Sequence, residues 1–304
     1  MKADPRAQRL LDMLSLQSGS GLEPPSIEAR RAGFVALMQM GANPRPVAEV
    51  ADLFAVDRIG LRLYRSNTSK PQPALVFFHG GGLVAGSIET HDGISRALCA
   101  SSGVTVISVG YRLAPEHKFP AGLEDAGVAF DWIAGHAGEL GIDASRLAIG
   151  GESAGALLAT SISHGWQKVN LPPKAQLLLC PVIDLAGETL SRRVFAKGFL
   201  IEQTVLAQDI EHCLPHGMTV ADLPSPLRFP LGRTPPHTII VAAECDPFRD
   251  EAFLYAEMLR GLGVQVQCSC QPGMIHSFYG LPALLPQADI SLDTAGRQLA
   301  EILG

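Results

Sequence analysis

Six short runs read as buried or half-buried strands: ALVFFH (74–79), VTVISVGY (104–111), SRLAIG (145–150), AQLLLCPV (175–182), HTIIVAAE (237–244) and VQVQCSC (264–270). Helical spacing appears between them. After Pro120, the residues Leu123, Ala126, Gly127, Phe130, Ile133, Ala134 and Ala137 recur at helical intervals. Between Asp250 and Leu262, Ala252, Tyr255, Ala256 and Leu259 share one helix face. Apolar strands alternating with amphipathic helices predict a mostly parallel sheet covered on both faces, an α/β fold. Two more strand-like runs, VADLFAV (50–56) and IGLRLYR (59–65), come first.

Two segments break the alternation. Residues 1–45 read as helical and Pro-punctuated, with Leu10, Leu11, Met13 and Leu14 suited to an amphipathic helix. Residues from about 185 to 233 are polar and carry Pro215, Pro224, Pro226 and Pro230, which reads as an insertion above the sheet edge. The two are expected to form a cap over a catalytic domain of residues 46–304.

With 304 residues, 47% of them hydrophobic, the chain can bury a sizeable core without a disulfide framework. A net charge of −6 and the lack of a basic stripe argue against nucleic acid and against an anionic membrane surface. No apolar stretch approaches the length of a membrane span. Asp4, Arg9 and Asp12 interrupt the opening residues, so no signal-peptide core is expected. The cysteines at 99, 180, 213, 245, 268 and 270 are scattered, and Cys268 and Cys270 lack the CxxC spacing. They read as reduced, structural thiols in the cytoplasm.

One stretch carries the chemistry. In IGGESAGALLAT (149–160) a strand runs into Gly151-Glu152-Ser153-Ala154-Gly155 and then a helix. This is G-x-S-x-G in the strand–turn–helix setting that lifts a serine hydroxyl clear of a sheet. The alternative is a small-residue turn with a bystander serine. A serine hydroxyl needs a base, and such nucleophiles take their partners in the order serine, acid, histidine. Asp246 and His276 each follow a strand and supply that order; Glu244 and Asp250 are rival acids. Acyl transfer also needs donors for a developing oxyanion. His79-Gly80-Gly81-Gly82 follows an apolar strand, and the backbone N–H groups of Gly81, Gly82 and Ala154 are the candidates. A phosphate cradle would need a different glycine spacing and a lysine. His79 is expected to organise the loop.

HGGG, YRLAPEHKFPAGLEDA (111–126), GESAG, DPFRDE (246–251) and HSF (276–278) form a set. Together they resemble the hormone-sensitive-lipase-like esterases of the α/β-hydrolase fold over residues from about 70 to 300. The resemblance implies an eight-stranded, mostly parallel sheet with helices on both faces and a helical cap. It implies carboxylic ester hydrolysis without metal or cofactor, with a small-molecule ester as substrate and a dimer formed through the sheet edge. By position, Ser153 is the nucleophile, Asp246 the acid, His276 the base, and Gly81, Gly82 and Ala154 the oxyanion hole.

The chain departs from the family in two places. Glu152 stands where the family usually has Asp; the extra methylene either shifts a hydrogen bond near the serine or, the reading favoured here, only tunes local packing. Leu83 stands where an aromatic is common, which puts the borrowed substrate preference in doubt. Arg112 is expected to pair with Glu116, Glu124 and Asp125 to favour the start of the helix after Pro120, and Asp184 to serve a turn. With no long apolar lid helix, short- to medium-chain esters are expected. The alternatives are a non-catalytic small-molecule receptor on the same fold, which typically lacks a triad member, and a serine amidase, which shares the tetrahedral intermediate.

Overall fold

The structure is a computed structural model describing residues 2–17, 25–56, 58–67 and 71–304. Its strands are β1 (Glu49–Ala55), β2 (Ile59–Arg65), β3 (Gln72–Phe78), β4 (Thr105–Gly110), β5 (Ile142–Glu152), β6 (Ala175–Leu179), β7 (His237–Cys245) and β8 (Val266–Ile275). They form one eight-stranded sheet in the order β1-β2-β4-β3-β5-β6-β7-β8. β1 pairs antiparallel with β2 and β2 with β4; every pairing from β4 to β8 is parallel. Two strands run further than their sequence runs suggest. β5 extends to Glu152 and β8 to Ile275, which carries each strand to the residue before a candidate catalytic side chain.

Strand periodicity splits the core in two. On β3, Ala74, Val76 and Phe78 join one buried cluster, while Leu75 and Phe77 join the other. The helices are α1 (Pro5–Gln17), α2 (Ile27–Gly41), α3 (Asp92–Ser102), α4 (Ala121–Gly135), α5 (Ala137–Leu140), α6 (Ala154–Ser163), α7 (Leu190–Val194), α8 (Gln203–Cys213), α9 (Arg249–Gly261) and α10 (Gln287–Leu303). Helices α4, α6 and α9 cover the Phe78 face, through residues such as Phe130, Ile162 and Tyr255. Helices α3 and α10 cover the other, through Leu98 and Leu299. Burying each such side chain stabilises the fold by roughly 1.5–3 kcal/mol before entropy is counted.

This arrangement places the site. From β3 the chain crosses by α3 on one face to β4. From β5 it crosses by α6 on the opposite face to β6. The order therefore reverses between β3 and β5, and open α/β sheets bind ligands at the carboxyl ends of the strands flanking such a reversal.

Helix α1 packs Ala7, Leu10 and Leu11 into the α10-side cluster, and the Asp4 N–H donates to Gly273 O at 2.9 Å near the end of β8. Helix α2 begins at Ser26, whose hydroxyl accepts the Ala29 N–H at 3.3 Å. Arg31 on α2 donates to Val84 O at 2.8 Å and Ala114 O at 3.0 Å, and grips Glu116 with two bonds of 2.8 and 2.7 Å. The expected Arg112–Glu116 pair is therefore corrected. Arg112 instead meets Asp125 at 2.7 Å, and Arg58 meets the same carboxylate at 2.6 Å. Asp125 is 1% exposed, so it serves as the shared anion of two arginines as well as an early residue of α4. Asp184 accepts the Ala186 N–H at 3.0 Å in a turn, as expected, and also pairs with Arg228 at 2.8 Å.

Helix α6 lies unusually close to β3. A Cβ on Gly155 would fall 2.1 Å from Phe78 O, a backbone atom that cannot swing aside. Gly33, exposed on α2, has nothing within 4 Å of a built Cβ. Gly155→Ala is predicted to lower stability by about 3 kcal/mol or more, and Gly33→Ala to raise it by about 0.5–1 kcal/mol. Urea midpoints of the two variants measure this; equal midpoints would refute the packing argument.

Candidate active site

β5 passes into α6 through a single residue. Ser153 sits there with φ 52° and ψ −117°, a backbone conformation costly for a side chain other than glycine. Three main-chain bonds hold it. Its N–H donates to Leu179 O at 2.9 Å, and its carbonyl accepts from the N–H groups of Ala156 at 3.0 Å and Val182 at 3.2 Å. The turn needs glycine before it as well, because a Cβ on Gly151 would fall 2.3 Å from the carbonyl carbon of Gly155.

Asp246 and His276 are the first residues after β7 and β8. Ser153 Oγ lies 2.8 Å from His276 Nε2, and His276 Nδ1 lies 2.7 Å from Asp246 Oδ2. Asp246 Oδ1 accepts the Phe248 N–H at 2.8 Å, which orients the carboxylate. The Phe248 ring stands 5.2 Å from the imidazole. Ser153 is 6% exposed and the other two 1%. The rival acids are engaged elsewhere. Glu244 accepts the Gly273 N–H at 2.7 Å, and Asp250 accepts the Ser191 N–H at 2.8 Å.

Burial pulls the His276 pKa down, but the charge and hydrogen bond of Asp246, helped by Glu152 and Glu251, outweigh it, and the net shift is upward. Each imidazole nitrogen thus has one partner: an acid on Nδ1 and a hydroxyl on Nε2.

The glycine loop follows β3. Gly81 (φ 116°) and Gly82 (φ 69°) lie in the region that favours glycine, and Val84 and Ala85 donate back to Gly81 O at 3.2 and 2.9 Å. Among the described residues the N–H groups of Gly81 and Gly82 have no acceptor. The Ala154 N–H belongs to the first turn of α6, where amides lack intrahelical partners. His79 behaves as a loop organiser. Its Nδ1 lies 2.8 Å from Gly80 O, its ring stacks on Tyr111 at 4.2 Å, and the Tyr111 hydroxyl donates to His79 O at 2.7 Å. Burial, then repulsion from His91, drags its pKa to about 3, so it stays neutral.

Glu152 corrects the sequence reading. It is a buried bridge and not a packing adjustment. Oε1 accepts the Ser277 hydroxyl at 2.5 Å, on the residue after the histidine. Oε2 lies 3.4 Å from His91 Nε2, and the Gly80 N lies 2.9 Å from the same ring nitrogen, so the two compete for it according to its protonation. A Cβ on Gly80 would fall 1.8 Å from Oε2, so this glycine makes room for the carboxylate. Burial works against the ionised form, but contact with His91, the His276 charge and the Ser277 hydroxyl hold the carboxyl below its usual range. One anion thereby joins the nucleophile strand, the histidine loop and the glycine loop. The signal available in the sequence was an acid that follows the apolar run Leu147–Ile149 and directly precedes the serine.

An apolar cluster of Leu157, Val182 and Phe248 lies beside the serine, packed by Leu185, Ile201 and Leu206 from the segment between β6 and β7. Among the described residues, one grouping of possible metal donors occurs: Cys180, Asp246 and His276, with ligand atoms within 4.8 Å of one another. It fits an ion poorly. Burial, then Asp246 and Glu152, push the Cys180 thiol well up, and both imidazole nitrogens are already engaged.

The family model for the alpha/beta hydrolase fold matches residues 75–280. The chain belongs to this family. Within it, the protein is 36% identical over 257 residues to the ethyl acetate hydrolase of Pseudomonas putida, covering 80% of each chain. It is 35% identical over 261 residues to an arylesterase of Saccharolobus solfataricus, covering 81% of this chain and 82% of the relative. Among solved structures, an ester-hydrolase from the metagenome of Lake Arreo superposes with a TM-score of 0.91 at 34% identity, over 98% of both chains. A thermostable esterase from Pseudomonas putida reaches 0.89 at 29% identity, over 100% of this chain and 98% of that one.

Glu152→Gln keeps a hydrogen-bonding side chain but removes a charge that favours imidazolium. The acid limb of kcat/KM for a chromogenic ester is predicted to move to lower pH, with kcat reduced by about tenfold. A pH–rate profile superimposable on the wild type would refute the bridge.

Proposed function

We propose that the protein is a carboxylic ester hydrolase working through an acyl-enzyme on Ser153. The observation that carries this reading is the hydrogen-bonded line Ser153–His276–Asp246, ending at a hydroxyl near a turn of free glycine amides. His276 takes the serine proton as Oγ attacks the ester carbonyl. Asp246 holds the tautomer with Nδ1 protonated and stabilises the cation that forms. The N–H groups of Gly81, Gly82 and Ala154 receive the oxyanion. The imidazolium protonates the departing alkoxide, and water then repeats both steps on the acyl-enzyme.

The curated esterase relatives support esters over amides as substrates. A complete triad within hydrogen-bond distance favours an enzyme over a receptor. The apolar cluster of Leu157, Val182 and Phe248 suits short- to medium-chain esters. No helix among the described residues is long and apolar enough to cross a membrane. The six cysteines are all free, which fits a reducing, cytoplasmic setting. Helix α2 and the insertion between β6 and β7 act together as a cap, a reading supported by the pair of Arg30 on α2 with Asp209 on α8 at 3.2 Å, whereas residues 1 and 18–24 of the expected cap segment 1–45 lie outside the described residues.

Ser153→Ala is predicted to lower kcat on p-nitrophenyl butyrate by at least ~10³-fold, and Asp246→Asn by about 10⁴-fold through the wrong tautomer. The base works only when neutral, and its pKa is raised. Wild-type kcat/KM should therefore climb with pH through a midpoint above the ordinary imidazole value of about 6.5. Full activity in Ser153→Ala, or a flat profile from about pH 5 to 8, would sink the mechanism.

A further inference from the structure

A cavity runs along α6 beside the glycine turn. Leu157, Leu158 and Ser161 line it from α6, Leu83 from the turn, and Cys213 and Leu223 from the insertion between β6 and β7. Two observations tie it to the site. Leu157 also packs with Val182 and Phe248, so the cavity and the apolar patch beside the imidazole meet at this side chain. Leu83 directly follows Gly82, and the Cys213 thiol donates to Gly82 O at 3.5 Å, so the near end of the cavity abuts the glycine turn. Leu83 holds φ 64°, a conformation unfavourable for leucine, and its carbonyl accepts the Ala114 N–H at 2.9 Å. Backbone strain of this kind gathers at ligand clamps.

The chemistry of acyl transfer gives the two apolar regions different halves of an ester. The departing alkoxide must lie within reach of the imidazolium that protonates it. The alcohol therefore leaves on the side of His276 and Phe248. The oxyanion lies at the glycine amides, and the Ser153 oxygen lies against His276 Nε2 at 2.8 Å. The fourth substituent of the tetrahedral carbon, the acyl chain, is left the side away from the imidazole. None of His276, Asp246 and Phe248 lines the cavity, whereas Leu83 and Leu157 do. The lining also suits hydrocarbon. The Arg112 guanidinium is engaged by Asp125, the Ser161 hydroxyl donates to Leu157 O at 2.7 Å, and His117, itself exposed, marks the outer rim. Ser161 is the deepest α6 residue of the lining, eight residues beyond Ser153 and about 12 Å along the helix axis. Carbon–carbon bonds of about 1.5 Å, set in a zigzag, need about nine carbons to cover that depth.

Resting on the esterase reading above, we propose that this cavity is the acyl subsite, that the patch around Phe248 faces the leaving alcohol, and that Ser161 sets the longest unbranched acyl chain the site accepts.

The test crosses two ester series. p-Nitrophenyl acetate, butyrate and octanoate vary the acyl chain at one alcohol, and ethyl, butyl and octyl acetate vary the alcohol at one acyl group. Ser161→Leu puts a larger apolar side chain at the deep end. Its octanoate-to-acetate ratio of kcat/KM in the p-nitrophenyl series should fall about tenfold or more from the wild-type ratio, with p-nitrophenyl acetate kept within about threefold and the alcohol series unmoved. Leu223→Phe narrows the same cavity from the insertion and should do likewise should leucine at position 161 disturb α6. Leu206→Phe crowds the patch beside Phe248 and should move the alcohol series and leave the acyl series. Unchanged acyl ratios in both the Ser161 and Leu223 variants would overturn the proposal. So would losses confined to the alcohol series, which would make the cavity the alcohol side. Equal losses at every acyl length in both variants would overturn it too, leaving a wall with a structural role alone. Wild-type turnover of p-nitrophenyl acetate tests the esterase reading by itself; hydrolysis of none of the esters would overturn both.

Discussion

The constraint on which the site depends is the backbone at Ser153. A residue at φ 52° between a strand and a helix survives only where its surroundings over-determine it. Here they do so from three sides: Leu179 O on the neighbouring strand, and the N–H groups of Ala156 and Val182. The same crowding demands that α6 nearly touch β3 at Gly155. That contact brings the first turn of α6 against the end of β3, from which the glycine loop departs. The position of the Ser153 hydroxyl and that of the neighbouring glycine amides are therefore consequences of one tight crossing and not separate devices.

Buried anions organise what surrounds that crossing. Asp246 sets the imidazole, and Glu152 joins the end of β5 to two loops. Glu251 ties in the segment after β6: its carboxylate accepts the N–H groups of Ile183 and Asp184 and pairs with Arg192 on α7 at 2.9 Å. Burial raises the Glu251 pKa to about 7 against the pull of Arg192, and raises that of Asp209 to about 6 against Arg30. Each anion would be costly alone. Glu251 is instead met by a cation and main-chain amides and Asp209 by a cation, and these contacts hold α2, α7 and α8 over the sheet edge. Helices α2, α7 and α8 are thus held by polar contacts aimed at the loops around Ser153 and His276 as well as by the apolar patch around Phe248.

Much of this was legible in the chain. The alternation of strand and helix patterns implied the parallel sheet, and G-x-S-x-G at a strand end marked Ser153. The order of Asp246 and His276 after two later strands supplied its partners. The HGGG run pointed to Gly81 and Gly82, whose amides have no acceptor among the described residues. What was not legible were pairings between distant segments. Arg112 met Asp125 in place of Glu116, because Arg31 from α2 reached Glu116 first. Glu152 looked like a change of one methylene until Ser277 and His91 were seen on its two oxygens.

Periodicity and turn chemistry are local, so the sequence by itself determined the layered α/β architecture, the strained serine turn and the residue types able to perform acyl transfer. Which acid reaches the imidazole is a matter of distance. Only the assembled sheet could choose Asp246 over Glu244 and Asp250, by placing β7 beside β8 and turning the other two carboxylates toward main-chain amides. The same holds for the Cys213 thiol on Gly82 O and the cavity beside it. Both arise where a helix of the insertion meets a loop from the far side of the chain, and no spacing along the sequence encodes such a meeting.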